Sequence, residues 1–322
     1  MGLGGLGGPA AQPLFRQALQ GAVAVGLVAG LPAAGAWRSE PPLPVPRGEV
    51  AAAVIGSEIA VVGGFLAGGQ SSARVDAYVP GTRRWRRLPD LPQGVNHALA
   101  AGWLGRLYVA GGYGSGGRLR TAWMLDGQRW CPLPRLPYGL AAGGAAVIAG
   151  SLYLVGGVAA TPDRSALVRR TLVLDLAHPS RWRLAPGPTG REHLAVAVAH
   201  GRIYAIGGRT AGFDTNTRLV ESWAPGEASW RREPPLPEAR GGTGAAAVGD
   251  EIVSIGGEAP GGTIASVYAF DATSRRWRRL PDLPTPRHGL AVAALGTRVY
   301  AIGGGRMPGL AVSGVDESLA VG

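Results

Sequence analysis

Pro284-Thr-Pro-Arg287-His-Gly-Leu-Ala-Val-Ala-Ala-Leu-Gly296-Thr-Arg-Val-Tyr300-Ala-Ile-Gly303-Gly304 sets the pattern that the rest of the chain repeats. Leu290 to Leu295 is an apolar run of small residues, the length of a strand and slim enough for a crowded interior position. Gly296-Thr297 marks a hairpin turn. Val299 to Ile302 returns as a second strand and ends at Gly303-Gly304, where glycine permits a backbone geometry and a close approach that a side chain would block.

The same ending closes a hydrophobic run at Gly63, Gly111, Gly156, Gly207 and Gly256. Tryptophans follow the same rhythm out of phase, at Trp37, Trp85, Trp130, Trp182, Trp230 and Trp277. From each tryptophan to the next glycine pair the distance is 25 or 26 residues, whereas from glycine pair to tryptophan it ranges from 19 to 26. The constant interval is structural. The variable one holds a loop that tolerates insertion, where function concentrates. A repeat of this size, with regular glycine and aromatic marks, predicts an all-β β-propeller with four antiparallel strands per blade.

The fifth unit supplies the other half of the repeat. Ser266 to Asp271 reads as a third strand, Ala272 to Arg275 as a turn, and Trp277 to Leu280 as the fourth, with Pro281 to Pro284 leading onward. Arginines flank Trp85 and Trp277, as suits an outermost strand that must stay soluble and unpaired. Trp37 has no glycine pair before it, and Gly303-Gly304 has no tryptophan after it, only Ser313 to Val321, which reads as a third strand. The N-terminal strand from Trp37 is therefore expected to complete the last blade, closing a ring of six and removing its open edges.

Strand, Tyr-x-Ile/Val-Gly-Gly, strand, then Trp and Leu-Pro-x-Leu-Pro resembles the Kelch repeat. The residues that carry the resemblance are Leu107 to Gly112, Leu152 to Gly157, Ile203 to Gly208 and Val299 to Gly304, with Trp85 to Pro92 and Trp277 to Pro284. Ala60 and Val253 stand where the first and fifth units lack the tyrosine. The resemblance covers residues 37–322, read as one propeller domain.

Composition narrows the class further. The chain has 322 residues, 46% of them hydrophobic, and its 54 glycines and 26 prolines fit many tight turns. Its formal charge is +11, with all 32 basic residues arginine. GC-rich coding accounts for this better than nucleic-acid binding, for which no reading motif is present, so a nucleic-acid partner is not expected. The single cysteine, Cys131, rules out an intramolecular disulfide framework.

Residues 1–36 differ from the rest. They hold no acidic residue and a single Arg16, then the apolar run Gly21 to Leu31 and Ala34-Gly35-Ala36. This pattern predicts a signal peptide, hence a secreted or cell-surface protein. An N-terminal membrane tether is the alternative, and a cytoplasmic location follows if the segment is not a signal.

In an up-and-down blade with strands a to d, the b–c loops and the d–a connections share one face. That face should carry the variable loops. Sixteen residues before each glycine pair, the d–a connections present Arg47, Val95, Leu140, Arg191, Arg240 and Arg287. The four arginines fall on adjacent blades. Such an arc would suit a carboxylate, sulfate or phosphate, and bracing of neighbouring blades is the competing role. His97, His193 and His288 lie one or two positions further along. Tyr113 and Tyr138 lie on the apolar side of the arc and could stack on a sugar.

The resemblance implies partner binding on this face. It leads to the expectation of an exported, monomeric binding module for a protein or glycan with acidic groups. A copper radical oxidase of this type would need a cysteine cross-linked to tyrosine, and Cys131 follows Trp130 on an outer strand. The Asp-box of sialidases is absent. A sugar-acid mutarotase, similar to the sialic-acid mutarotases, is the alternative, with Glu49, Glu192 and Glu238 on the right connections. The five histidines show no metal-ligand spacing, so neither metal nor cofactor is expected, and no catalytic residue is assigned.

Overall fold

The computed structural model describes Met1, residues 35–160 and residues 165–322. Residues 2–34 of the expected signal segment lie outside the described residues. Among the described residues, no helix is long and apolar enough to cross a membrane.

Six four-stranded antiparallel sheets account for nearly all regular structure among the described residues. The first runs Ala51–Ile55, Glu58–Val62, Val75–Val79 and Arg84–Arg87. The second runs Leu99–Trp103, Arg106–Ala110, Ala122–Asp126 and Arg129–Pro132. The third runs Gly144–Ile148, Ser151–Val155, Arg170–Asp175 and Arg183–Pro186. The fourth runs Ala195–Ala199, Arg202–Ile206, Val220–Trp223 and Arg231–Arg232. The fifth runs Gly244–Val248, Glu251–Ile255, Val267–Asp271 and Arg276–Leu280. In the sixth, Ala291–Leu295, Arg298–Ile302 and Asp316–Ala320 are joined by Trp37–Ser39, with Trp37 opposite Leu319.

The first strand of each sheet packs beside the first strand of the next, and that of the sixth lies beside that of the first. These strands are built largely from Ala, Gly and Val, which suits the close approach of the six first strands. Larger residues from the second and third strands, among them Ile59, Tyr78, Leu152, Tyr204 and Phe270, fill the layers between sheets and are fully buried.

The tryptophan rhythm has a direct cause. Each of the six indoles donates its Nε1–H to a proline carbonyl of the preceding sheet or its exit segment: Trp85 to Pro41, Trp130 to Pro89, Trp182 to Pro134, Trp230 to Pro186, Trp277 to Pro234 and Trp37 to Pro281, all at 2.8–3.0 Å. The rings are partly buried and supply apolar contact, while the indole N–H finds its acceptor on the neighbouring sheet or its exit segment.

The glycine pairs are also explained locally. Gly63 and Gly64 have φ of 60° and 97°, and a Cβ on Gly63 would stand 2.4 Å from the carbonyl oxygen of Val95. Only glycine lets the end of the second strand approach the neighbouring d–a connection so closely.

Candidate functional site

The d–a connections carry a second regularity, two residues beyond the arginine positions. Glu49, His97, Ala142, His193, Gly242 and Gly289 all have φ between 50° and 64°. Backbone bonds link them in sequence around the axis: His97 N to Glu49 O, Ala142 N to His97 O, His193 N to Ala142 O, Gly242 N to His193 O and Gly289 N to Gly242 O, at 2.8–3.1 Å. Val50 N to Gly289 O, at 3.2 Å, returns the belt to its start. A left-handed conformation costs a residue with a Cβ about 1–2 kcal/mol. Glycine at two of the six positions follows from that. Glu49, His97 and His193 are held there against it, as happens at functional sites.

A second layer lies just outside. The residue after each glycine pair forms an antiparallel bridge to the residue before the belt: Phe65 with Gly48, Tyr113 with Asn96, Arg209 with Glu192, Glu258 with Gly241 and Gly305 with His288. Val158 pairs with Ala141 in the same way, within a short three-stranded sheet. Aromatic side chains thus stand over the first two sheets and charged ones over the fourth and fifth.

At the belt, Glu49, His97 and His193 meet. His97 Nε2 is 3.0 Å from His193 Nε2 and 3.2 Å from Glu49 Oε2. Their side chains are 11%, 10% and 11% exposed for His97, His193 and Glu49, enough for a small group to reach them. Asn96 Nδ2 donates to Ser71 Oγ, which turns Asn96 Oδ1 toward His97 Nδ1 at 2.6 Å. Arg209 bonds Glu258 at 2.7 Å and stands 3.7 Å from Glu192. Burial pushes the His97 imidazole down to about 4, against the pull of Glu49. Burial also pushes the Glu49 carboxyl up, but His97, His193, His288 and Arg209 together outweigh it and leave it below the usual carboxylate range. Glu192 lies below that range for the same reason, burial being outweighed chiefly by His193. A small cavity of about 90 Å³ sits over these groups.

A larger cleft of about 950 Å³ opens beside it, between the b–c loops of the first and second sheets. The aromatic rings of Phe65 and Tyr113, the amides of Gln70, Gln93 and Asn96 and the His97 imidazole are among its lining groups. The His97 ring meets Phe65 and Tyr113 edge-on at 5.7 and 5.4 Å, so one imidazole belongs to both the cleft and the axial cavity.

The expected arginine arc is corrected by the geometry. Arg47, Arg191, Arg240 and Arg287 are fully buried. Arg47 donates to the carbonyls of Gly63 and Arg74 and to Asp76, at 2.6–2.8 Å. Arg191 donates to the carbonyls of Gly207, Thr189 and Ala205 and to Glu221, at 2.5–2.9 Å. Arg240 is held by Ser266 and Glu238, and Arg287 by Val315, Ala301 and Glu317. Desolvation pushes Arg47 and Arg287 down to about 10, against Asp76 and Glu317. Buried at 0% exposure and bonded internally, these guanidinium groups are closed to a ligand, although the Nε atoms of Arg47, Arg240 and Arg287 find no partner among the described residues. These residues tie the second and third strands of a sheet to the d–a connection, and Glu238 is a partner in one such tie.

The other expected site residues divide. His97, His193 and Tyr113 reach the cleft or the axial cavity. His288 is buried, its ring nitrogens facing the carbonyls of Gly305 and Gly309 at 3.2 and 2.9 Å, and it borders the cluster through Glu49 and Glu258. Tyr138 packs partly buried against the core between the second and third sheets, away from both cavities. Its hydroxyl is pushed up by burial. Phe65, Asn96, Arg209 and Glu258 were not singled out from the sequence, although alignment two residues past the start of each glycine pair brings up three of them together.

The Kelch motif matches residues 46–92, 97–137, 190–237 and 239–284, more than half of the chain. The chain belongs to the Kelch-repeat family. The units left unmatched are the third, with the longest loop interval, and the sixth, which is divided between the two ends of the repeat array. Among solved structures, YjhT is similar in fold, with a TM-score of 0.74 and 17% sequence identity over 86% of this chain and 95% of that one. No curated protein sequence matches. Kelch repeats generally mediate protein interactions, and their b–c loops and d–a connections build one face here.

Proposed function

We propose that the six sheets are the blades of a closed ring, clasped by the Trp37 strand, and that the loop-rich face binds a glycan in the cleft between the first and second blades. Support for closure is the peptide belt from Glu49 to Gly289 and back to Val50, together with the pairing of Trp37–Ser39 to Asp316–Ala320. The observation that carries the ligand class is the cleft. Two aromatic rings, Phe65 and Tyr113, line it together with amide and hydroxyl side chains. Sugars present apolar ring faces and many hydroxyls, which such a lining complements.

The charge around the belt favours a neutral sugar over an acidic one. Glu192 and Glu258 face Arg209, Glu49 faces His97, and the four arginines once expected to meet an acid are buried and bonded internally. Export of the domain belongs to this proposal and rests on residues 1–36.

The test is saturation-transfer NMR with neutral probes (galactose and N-acetylglucosamine oligomers), an acidic probe (N-acetylneuraminate) and, in a separate arm, proline-rich and acidic peptides. A neutral oligosaccharide is expected to bind, with Tyr113→Ala weakening it about tenfold, the scale of one aromatic contact. Binding of the peptides alone, or sugar binding indifferent to Tyr113→Ala, would overturn the reading.

Acid-base chemistry on a sugar is the second reading. It is favoured by one carboxylate and two imidazoles meeting where the cleft ends, at Glu49, His97 and His193. Acceleration of anomer exchange by the intact protein, followed by NMR, would replace simple binding with mutarotation.

A further inference from the structure

We propose that Glu49, His97 and His193 form a binding site for one divalent transition-metal ion, Zn²⁺ or an ion of similar size, at the mouth of the channel. Ligand atoms from all three residues lie within 4.8 Å of one another. On a four-coordinate zinc ion with bonds of about 2.0–2.1 Å, neighbouring ligand atoms stand about 3.3–3.4 Å apart. The observed separations, 3.0 Å between the two Nε2 atoms and 3.2 Å from His97 Nε2 to Glu49 Oε2, come within a few tenths of an ångström of this.

The proton positions strengthen the case. Asn96 Nδ2 is committed to Ser71 Oγ, so Asn96 Oδ1 is the acceptor facing His97 Nδ1. His97 Nδ1 must then carry the hydrogen, which leaves Nε2 as a bare lone pair. His193 Nδ1 has no hydrogen-bond partner among the described residues, and the nearest carboxylate oxygen is Glu192 Oε1 at 3.5 Å. A hydrogen on His193 Nδ1 is attracted to that oxygen, whereas a lone pair there is repelled. His193 Nε2 is then bare as well. Two imidazole lone pairs and a carboxylate oxygen converge on one point, and such a set calls for a cation. Outer partners that fix the tautomer, here Asn96 and Glu192, are the usual accompaniment of metal-binding histidines.

Two histidines and one carboxylate leave further coordination positions open. The remaining belt residues are Ala142, Gly242 and Gly289, small enough to leave the cavity of about 90 Å³. The neighbouring set of Glu49, Glu258 and His288 also converges. It is already partnered, since Glu258 accepts from Arg209 and His288 Nε2 faces the carbonyl of Gly309.

The site stands apart from the glycan reading, because it is tested without sugar. Zn²⁺ is titrated by calorimetry into the full chain after chelator treatment and dialysis, and Co²⁺ is added to a second sample to record its visible spectrum. One ion per chain is expected, with the ligand-field bands of four- or five-coordinate cobalt. His97→Ala or His193→Ala should weaken binding by about 100-fold or more, and Asn96→Ala by about tenfold, as for outer-shell partners. Glu49→Gln serves if a histidine variant does not fold. The exposed His200, 3.1 Å from Asp250, is the control for adventitious surface binding. Uptake unaffected by the His97, His193 and Glu49 substitutions, uptake abolished by His200→Ala, or no uptake at all would overturn the proposal.

Discussion

The indole nitrogen of Trp37 donates to the carbonyl of Pro281 at 2.9 Å, 244 positions along the chain. The same contact joins every adjacent pair of sheets, so its presence here makes the N-terminal strand the outermost strand of the sixth. Deleting residues 37–46 removes that strand's pairing, the Trp37 contact and the buried Glu40, which accepts from Tyr78 and Ser318. The truncated domain is expected to melt far below the intact one, or not to fold. Trp37→Phe, which loses the hydrogen bond but keeps an aromatic ring, should cost about 0.5–1.5 kcal/mol. Denaturant melts of the two variants measure both effects.

Arg47 and Asp76 form a fully buried ion pair at 2.6 Å. Removing the acid leaves the guanidinium uncompensated in the core. Asp76→Ala should therefore destabilise by about 3–5 kcal/mol, the usual result of breaking a buried pair. Chemical denaturation, with the midpoint compared at constant slope, checks this.

Asp316 is buried, and neither of its carboxylate oxygens accepts a hydrogen bond among the described residues. Burial raises its pKa well above the usual range, with Glu40 adding to the effect and Arg287 opposing it. In the unfolded chain the group titrates near 3.9. Between that value and the folded one, the native state holds more protons than the unfolded state, so the Asp316 contribution to stability falls as pH rises through this window. Above the folded pKa the penalty is fully present. Asp316→Asn cannot ionise. The melting temperature of the variant minus that of the wild type is expected to increase as pH is raised from about 4. A difference that is flat or declines with pH would show that the carboxylate is stabilised by a partner.

The glycine pairs and tryptophans were legible as a repeat because each answers a local necessity that recurs in every unit. Gly63 and its counterparts must let the d–a connection come close, and Trp85 and its counterparts must reach a proline carbonyl in the preceding sheet. The split sixth sheet was legible for the same reason, since Trp37 and Gly303-Gly304 each lack half of a unit. The site was harder to read. The arginines stand out in an alignment by sequence, and their place on the connections suggests a channel-mouth position, but their side chains end on Gly63, Gly207 and similar carbonyls. The residues two positions after Arg47, Val95 and Arg191, namely Glu49, His97 and His193, adopt positive φ, and it is their side chains that meet at the belt. The sequence hint was the row Glu49, His97, Ala142, His193, Gly242 and Gly289, fourteen residues before each glycine pair, in which glycine marks a left-handed position. The metal-ligand set has no short-range motif spacing, because its members come from three different connections and share only their place in the repeat.

The central claim is a division of labour between residues two positions apart: the arginine holds the fold, and the belt residue serves the site. Arg191 and His193 test it in one thermal melt, run with chelator present. Arg191→Ala leaves Glu221 without its buried cation and should lower stability by about 3–5 kcal/mol. His193→Gly relieves a left-handed backbone with φ of 52°, and should leave stability unchanged or raise it by up to about 1 kcal/mol. The account predicts that order, with the arginine variant melting well below wild type and the glycine variant at or above it. A His193→Gly protein that melts as low as Arg191→Ala, or an Arg191→Ala protein that melts like wild type, would contradict it.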